Sequence, residues 1–130
     1  MMPIVGFLPA DDPRMLATID AIADRLTDER GLVYRYRAED SVDGLAGGEG
    51  TFLLCTFWLA QALAQAGKLE RARRVFTIAI ASRNDVGLLS EEVDPSTGEL
   101  LGNFPQAFSH IGLVNAAWAI SEAEARAGEG

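Results

Sequence analysis

The sequence of 130 residues predicts an all-α fold in which four helices form a single domain over residues 1–130. Four segments either carry apolar residues at helical spacing or are apolar nearly throughout. These segments also alternate in kind along the chain: amphipathic, almost free of charge, amphipathic, almost free of charge. A plain bundle would make all four helices amphipathic. The alternation instead suits a two-layer ring in which buried inner helices are surrounded by amphipathic outer ones.

The first helix pair comprises residues 13–26 and residues 51–66. The apolar stripe of the first helix consists of Leu16, Ile19, Ile22 and Leu26. The second helix carries no charged side chain, which predicts that it is buried on most sides. Gly67 follows it directly and is a suitable helix stop.

The second pair comprises residues 68–82 and a helix that begins near Pro105. The inward stripe of the third helix is Leu69, Ala72, Phe76 and Ala79. The fourth helix has no formal charge over residues 106–121, so we expect it to be buried like the second. On the same basis, four aromatic residues are interpreted as core: Phe57, Trp58, Phe108 and Trp118.

Composition excludes several classes of function. Eleven basic against nineteen acidic residues give a net charge of −8, which argues against a nucleic acid partner. Cys55 is the single cysteine, so no intramolecular disulfide forms, and with one histidine no metal cluster or cofactor is expected. The charge-free run of residues 51–66 is too short to cross a bilayer. We therefore expect no membrane partner and a cytoplasmic location.

Two long connections, residues 27–50 and 83–104, hold the candidate chemistry. If the helices alternate in direction, both connections lie on one rim, and long loops in compact domains are usually functional. The first loop places arginines beside tyrosines and acids, which suits a polyhydroxylated ligand as well as a solvated loop. These residues are Tyr34, Arg35, Tyr36, Arg37, Glu39 and Asp40. The second has five acids and no base over residues 84–103, which suits either a catalytic carboxylate or an acidic turn. His110 is interpreted as a satisfied interior histidine and Cys55 as an inert thiol.

Four sequence runs carry a resemblance to a known family. They are VGFLPADDPR at 5–14, GGEGTF at 47–52, SEEVDP at 90–95 and GNFPQAFSH at 102–110. Together they resemble the C-terminal part of glycoside hydrolase family 15, which holds glucoamylases, glucodextranases and bacterial or archaeal α,α-trehalases. The resemblance implies that the chain is part of an (α/α)6 barrel with its active site in the loops that precede the inner helices.

The resemblance also implies an inverting hydrolysis by two glutamates, a general acid and a general base that activates water. Ser90-Glu91-Glu92-Val93-Asp94 is similar to the family's Ser-Glu-Gln-Tyr-Asp-like motif, so Glu91 is the implied base. Because Glu92 stands in place of the glutamine, either Glu91 or Glu92 could face the water. The implied substrate-binding residues are Arg35, Glu49, Phe52 and Glu92.

No run in this chain resembles the segment that holds the family's general acid. We therefore expect an incomplete active site, inactive alone, and an apolar seam covered by the missing part of the barrel or by a second copy. The implied substrate is an α-glucoside, either an α-glucan or trehalose. The alternatives are a non-catalytic helical interaction module, against which the lack of a fixed-period repeat argues, and a sugar-binding remnant.

Overall fold

The computed structural model describes residues 1–36 and 49–128. Within those residues the chain forms the four helices that the sequence predicts, with a small sheet that it does not. The helices are α1 (Pro13–Leu26), α2 (Leu53–Gln65), α3 (Leu69–Ala81) and α4 (Ala107–Gly128). The amphipathic helices α1 and α3 both pack against the charge-free α2, and α3 also contacts α4. The all-α prediction is confirmed, and the arrangement is consistent with part of an (α/α)6 barrel.

Helix α1 begins where the sequence provides a cap. The Asp12 side chain accepts a hydrogen bond from the Arg14 N–H at 2.9 Å, and Pro13 occupies the first turn, where its missing N–H costs nothing. Ile19 of the predicted stripe is buried, but Ile22 is 37% exposed. The other described residues therefore cover the stripe of α1 only in part.

Helix α2 is the centre of the core. Phe57 is fully buried, as predicted, and its ring meets that of Phe76 edge-on at a centroid distance of 5.8 Å. Helix α4 also approaches α2 closely at Gly112, where a Cβ atom would lie only 3.2 Å from the Cβ of Phe57. Gly67, with φ of +73°, then turns the chain directly from α2 into α3.

The described residues cover helix α4 on one face only. The interpretation of Phe108 and Trp118 as core residues is wrong, since they are 62% and 70% exposed. Ala116 and Gly112 lie on the buried face against α2, while the opposite face is apolar and bare. This bare face, called the α4 stripe below, consists of Phe108, Ile111, Val114 and Trp118. A charge-free helix is thus half covered because the described chain has no element to pack on its far side.

A three-stranded antiparallel sheet joins the two long loops. Its strands, in spatial order, are β1 (Thr51–Phe52), β2 (Glu92–Val93) and β3 (Leu100–Leu101). Phe52 faces Glu92 across the first pair, and Glu92 faces Leu101 across the second. The prediction that α2 begins at Thr51 is wrong, because Thr51 and Phe52 pair with β2 before the helix begins. The sheet places the start of α2 and the second loop on one rim, as expected.

A cavity of about 340 Å³ lies between α1, α2 and the N-terminal residues Met1, Met2 and Pro3. Its walls are mainly apolar and include Ile19, Cys55 and the half-buried Trp58. The Cys55 thiol is partly buried there, and burial raises its pKa above the ordinary value, which favours the unreactive protonated form. Among the described residues, no helix is both long and apolar enough to span a bilayer.

Candidate functional site

The Arg35 side chain is the centre of a cluster on the rim. Its guanidinium pairs with the Glu49 carboxylate and donates a hydrogen bond to the Tyr36 hydroxyl at 3.2 Å. The same group lies 4.9 Å from the ring centroids of both Phe52 and Tyr36, within the range of cation–π attraction. Three of the predicted sugar-binding residues, Arg35, Glu49 and Phe52, are therefore brought together although they come from both ends of the first loop.

One carboxylate oxygen of Glu49 lacks a hydrogen-bond donor among the described residues. Its side chain is only 17% exposed, and one carboxylate oxygen pairs with Arg35. The other oxygen, Oε2, is buried and has no hydrogen-bond partner among residues 1–36 and 49–128. A buried, unsatisfied carboxylate oxygen is costly, and a hydroxyl group is the kind of donor that would satisfy it.

Glu92 ties the first loop to the sheet. Its Oε2 accepts a hydrogen bond from the Gly50 N–H at 2.9 Å, and a Cβ at Gly50 would lie only 2.9 Å from the same oxygen. Burial is the main cause that raises the pKa of Glu92, and the negative charges of Glu49 and Glu91 add to it. The Gly50 N–H and Arg35 oppose the shift. Glu92 thus lies within electrostatic reach of every charged group of the cluster.

Glu91 points to different partners from its neighbour, as adjacent residues in extended chain do. Its Oε2 accepts two hydrogen bonds from Asn103, from the backbone N–H at 3.0 Å and from Nδ2 at 2.9 Å. The Glu91 N–H in turn donates to the Asn103 carbonyl oxygen at 2.9 Å. No residue in the described ranges donates to Oε1 of Glu91. One oxygen of this carboxylate is therefore fixed, while the other is available to a ligand or to water.

The start of α4 is hydrogen-bonded to the residues that precede Glu91. The Ser109 hydroxyl donates to the Ser90 carbonyl oxygen at 2.7 Å, and the Ser90 hydroxyl donates to the Glu92 carbonyl oxygen at 2.7 Å. His110 Nε2 accepts the Leu89 N–H at 3.3 Å, which assigns the ring proton to Nδ1, 2.8 Å from a backbone carbonyl oxygen. His110 is a satisfied histidine, as predicted, and its bonds anchor the loop that carries Glu91.

Asn103, Ser109 and Ser90 are supporting residues that the sequence does not by itself predict. The available signal is that all three lie in the runs SEEVDP and GNFPQAFSH, which carry the family resemblance. The other candidate residues of the first loop, Arg37, Glu39, Asp40 and the glycines at 47 and 48, lie outside the described residues. Within the described part of the chain, no three His, Cys, Asp or Glu side chains are grouped to hold a metal ion.

Comparison with known proteins agrees with this arrangement. The family model for glycosyl hydrolases family 15 matches residues 1–118. A trehalase from Mycolicibacterium smegmatis is 51% identical over 124 residues, and one from Mycobacterium tuberculosis is 46% identical over 127 residues. These matches cover 95% and 98% of this chain. A trehalase from Thermoplasma acidophilum is 44% identical over 122 residues, or 94% of the chain.

The chain spans about a fifth of the length of these curated relatives, between 18% and 20%. No solved structure matches it significantly. The family match nevertheless extends over most of the chain, including α1 to α3, the first part of α4, the sheet and the rim residues described above. This chain belongs to glycosyl hydrolase family 15.

Proposed function

We propose that this chain is the segment of an inverting α-glucoside hydrolase that carries the general base, Glu91, and one wall of the sugar site. The observation that carries the proposal is the Glu91 carboxylate, fixed through Oε2 by Asn103 on the same rim as the Arg35–Glu49 pair. Trehalose is the proposed substrate, because the similar proteins from three organisms are named trehalases.

The choice of Glu91 over Glu92 follows from their contacts. Glu92 directs an oxygen to the Gly50 backbone, where it holds the first loop against β2. Glu91 is held at one oxygen only, and its Oε1 can take a proton from a water molecule without breaking a protein contact. A general base must be oriented and still reach its proton. Among the described residues, donors reach both glutamates at Oε2 only, but two donors orient Glu91, whereas the one donor of Glu92 comes from the loop that it holds.

The sugar would meet three kinds of side chain at this rim. Arg35 can donate to a pair of hydroxyl groups, and the unsatisfied Oε2 of Glu49 can accept from a third. The Phe52 ring, already beside Arg35, provides an apolar surface for a pyranose face. Such a set orients one glucosyl unit so that a water held by Glu91 can attack its anomeric carbon.

The second catalytic carboxylate would come from outside this chain. Inversion needs the acid and base carboxyls about 6.5–9.5 Å apart, on opposite faces of the sugar. We therefore expect the isolated chain to be inactive. The exposed α4 stripe supports association with the missing part of the barrel or with a second copy. A cytoplasmic location stays a prediction.

A chimera tests the proposal. This chain replaces the matching segment of the Mycolicibacterium smegmatis trehalase, to which it is 51% identical. We expect the chimera to hydrolyse trehalose and to release one β-glucose and one α-glucose from each molecule, as NMR of the fresh products would record, while the isolated chain is inert. Glu91→Gln should lower kcat at least about 10³-fold, and the charge-matched control Asp85→Asn should leave it unchanged.

Three results would contradict the proposal. A Glu91→Gln chimera that keeps full activity would remove Glu91 as the base. Turnover by the isolated chain would show that a second carboxylate within it serves as the acid. If the chimera binds trehalose without turnover although the parent trehalase is active, the segment is a sugar-binding remnant.

A further inference from the structure

Asn103 contacts Glu91 through its backbone and also through its side chain. Three hydrogen bonds join the two residues: one between the backbones and two from Asn103 donors to the single oxygen Oε2. Both lone-pair directions of Oε2 are thereby used, since a carboxylate oxygen accepts about two hydrogen bonds. The torsion angles of the carboxyl group are fixed by this pairing.

The backbone explains how Asn103 reaches the carboxylate. Strand β3 ends at Leu101, and Gly102 takes a φ of +71°, a conformation that L side chains rarely adopt. This turn removes the Asn103 N–H from the ladder and directs it to the Glu91 side chain. A Cβ at Gly102 would lie 2.8 Å from Glu91 Oε2, so only glycine leaves space for the carboxylate.

We propose that Asn103 is a positioning residue, which holds Glu91 so that Oε1 alone faces the attacking water and receives its proton. This inference rests on the proposed role of Glu91 as the general base. The two donors satisfy Oε2, so a proton taken from water goes to Oε1, and the water oxygen is left to attack the sugar. Without the amide of Asn103 the carboxyl group can rotate, and the base is misplaced at the moment of reaction.

Kinetics of the chimera provide the first test. Asn103→Asp keeps the size of the side chain but replaces the Nδ2 donor with an oxygen that repels Glu91. We expect kcat for trehalose to fall about 100-fold while KM changes less than about twofold. Asn103→Ala, which keeps the backbone donor, should lose about tenfold. The matched control is Asn84→Asp, since Asn84 serves its turn through Oδ1, which aspartate retains.

Each kinetic outcome has a separate meaning. Equal loss in Asn103→Asp and Asn84→Asp, or a loss confined to KM, overturns the positioning role. If Glu91→Gln leaves the chimera active, the proposed function itself fails. If Glu91→Gln removes activity but both Asn103 variants keep it, only the inference about Asn103 fails.

Hydrogen exchange on the 130-residue chain tests the geometry without any activity. The Asn103 N–H has the Glu91 side chain as its acceptor, so Glu91→Ala should speed its exchange about tenfold. The Thr97 N–H, which donates to Asp94 Oδ1, is the internal control and should not change. An Asn103 exchange rate unaffected by Glu91→Ala would overturn the proposal even if the chimera proved inactive.

Discussion

Helices α2 and α4 are similar in composition, because neither carries a charged side chain over residues 53–65 or 107–121. Their surroundings differ. Helix α2 packs against α1, α3 and α4, and its Phe57 is fully buried. Helix α4 meets α2 and α3 on one side and leaves Trp118 70% exposed on the other. The absence of charged side chains therefore indicates that a helix packs against other elements on most sides. Only the fold shows whether those elements belong to this chain.

The largest effect is expected in the covered helix. Phe57→Ala should lower the free energy of unfolding of the isolated chain by about 3–5 kcal/mol, because it leaves a cavity between α2 and α3. Urea denaturation followed by circular dichroism measures it. The same substitution at Phe7, which is 69% exposed, should cost less than about 0.5 kcal/mol. Similar losses at both positions would contradict the assignment of α2 as the core.

The second effect depends on what covers α4. Trp118→Ser should change the stability of the isolated chain by no more than about 0.5 kcal/mol, since the indole is exposed there. In the chimera the same change should cost about 2–3 kcal/mol if the rest of the barrel buries the α4 stripe. Thermal or urea unfolding of both proteins measures the difference. Equal effects in the two backgrounds would mean that the stripe stays bare.

The third effect separates backbone strain from placement of the carboxylate. Gly102→Ala and Gly87→Ala both put a side chain at positive φ, so each should cost about 1–2 kcal/mol in stability. Only at Gly102 would the new Cβ meet Glu91, whereas nothing lies within 4 Å of a Cβ at Gly87. We therefore expect an activity loss of about tenfold in the Gly102→Ala chimera alone. Equal kinetics for both variants would contradict the close approach.

The smallest effect concerns Glu92, which fastens the rim to the start of α2. Burial raises its folded pKa, so the stability that it contributes is present below the unfolded pKa of about 4.3 and is lost as pH rises through the folded pKa. Glu92→Gln keeps an acceptor for Gly50 and removes the charge. At pH near 7 we expect the melting temperature to rise by about 2 °C or less, after allowance for solvent screening.

That variant also distinguishes the two neighbouring glutamates. The melting temperature of Glu92→Gln should depend less on pH than that of the wild type and that of Glu99→Gln, a charge-matched control at an exposed residue. A large loss of chimera activity in Glu92→Gln, matched by a small loss in Glu91→Gln, would reverse the assignment of the base.

Helix number, order and approximate bounds can be predicted from the sequence because α1 and α3 repeat an apolar stripe and α2 and α4 are long apolar runs with few or no charges. The sheet was not, because its strands have two residues each and leave no periodicity. Thr51 and Phe52 continue the apolar run of α2, and only their pairing with β2 reveals that they are extended. The prediction that Phe108 and Trp118 are buried is wrong, because burial depends on a second surface that packs against the helix. The composition of the helix alone does not show whether that surface is present.

For the site, the family resemblance supplied Arg35, Glu49, Phe52, Glu91 and Glu92. The described structure brings the first three together and gives the two glutamates different partners. The contact of Asn103 with Glu91 depends on the positive φ of Gly102, and a glycine in a loop does not by itself reveal such a turn. Supporting contacts of this kind follow from backbone geometry and are therefore difficult to predict from residue types.

The cavity between α1 and α2 makes Cys55 a natural reporter. It is the single thiol of the chain, it is partly buried in that wall, and its raised pKa slows reaction at neutral pH. Any event that lifts α1 away from α2 would expose it and accelerate labelling by a maleimide or a disulfide reagent. One chromophore could thus be attached at a known place without mutation, and its rate of attachment would record how often the outer helix detaches.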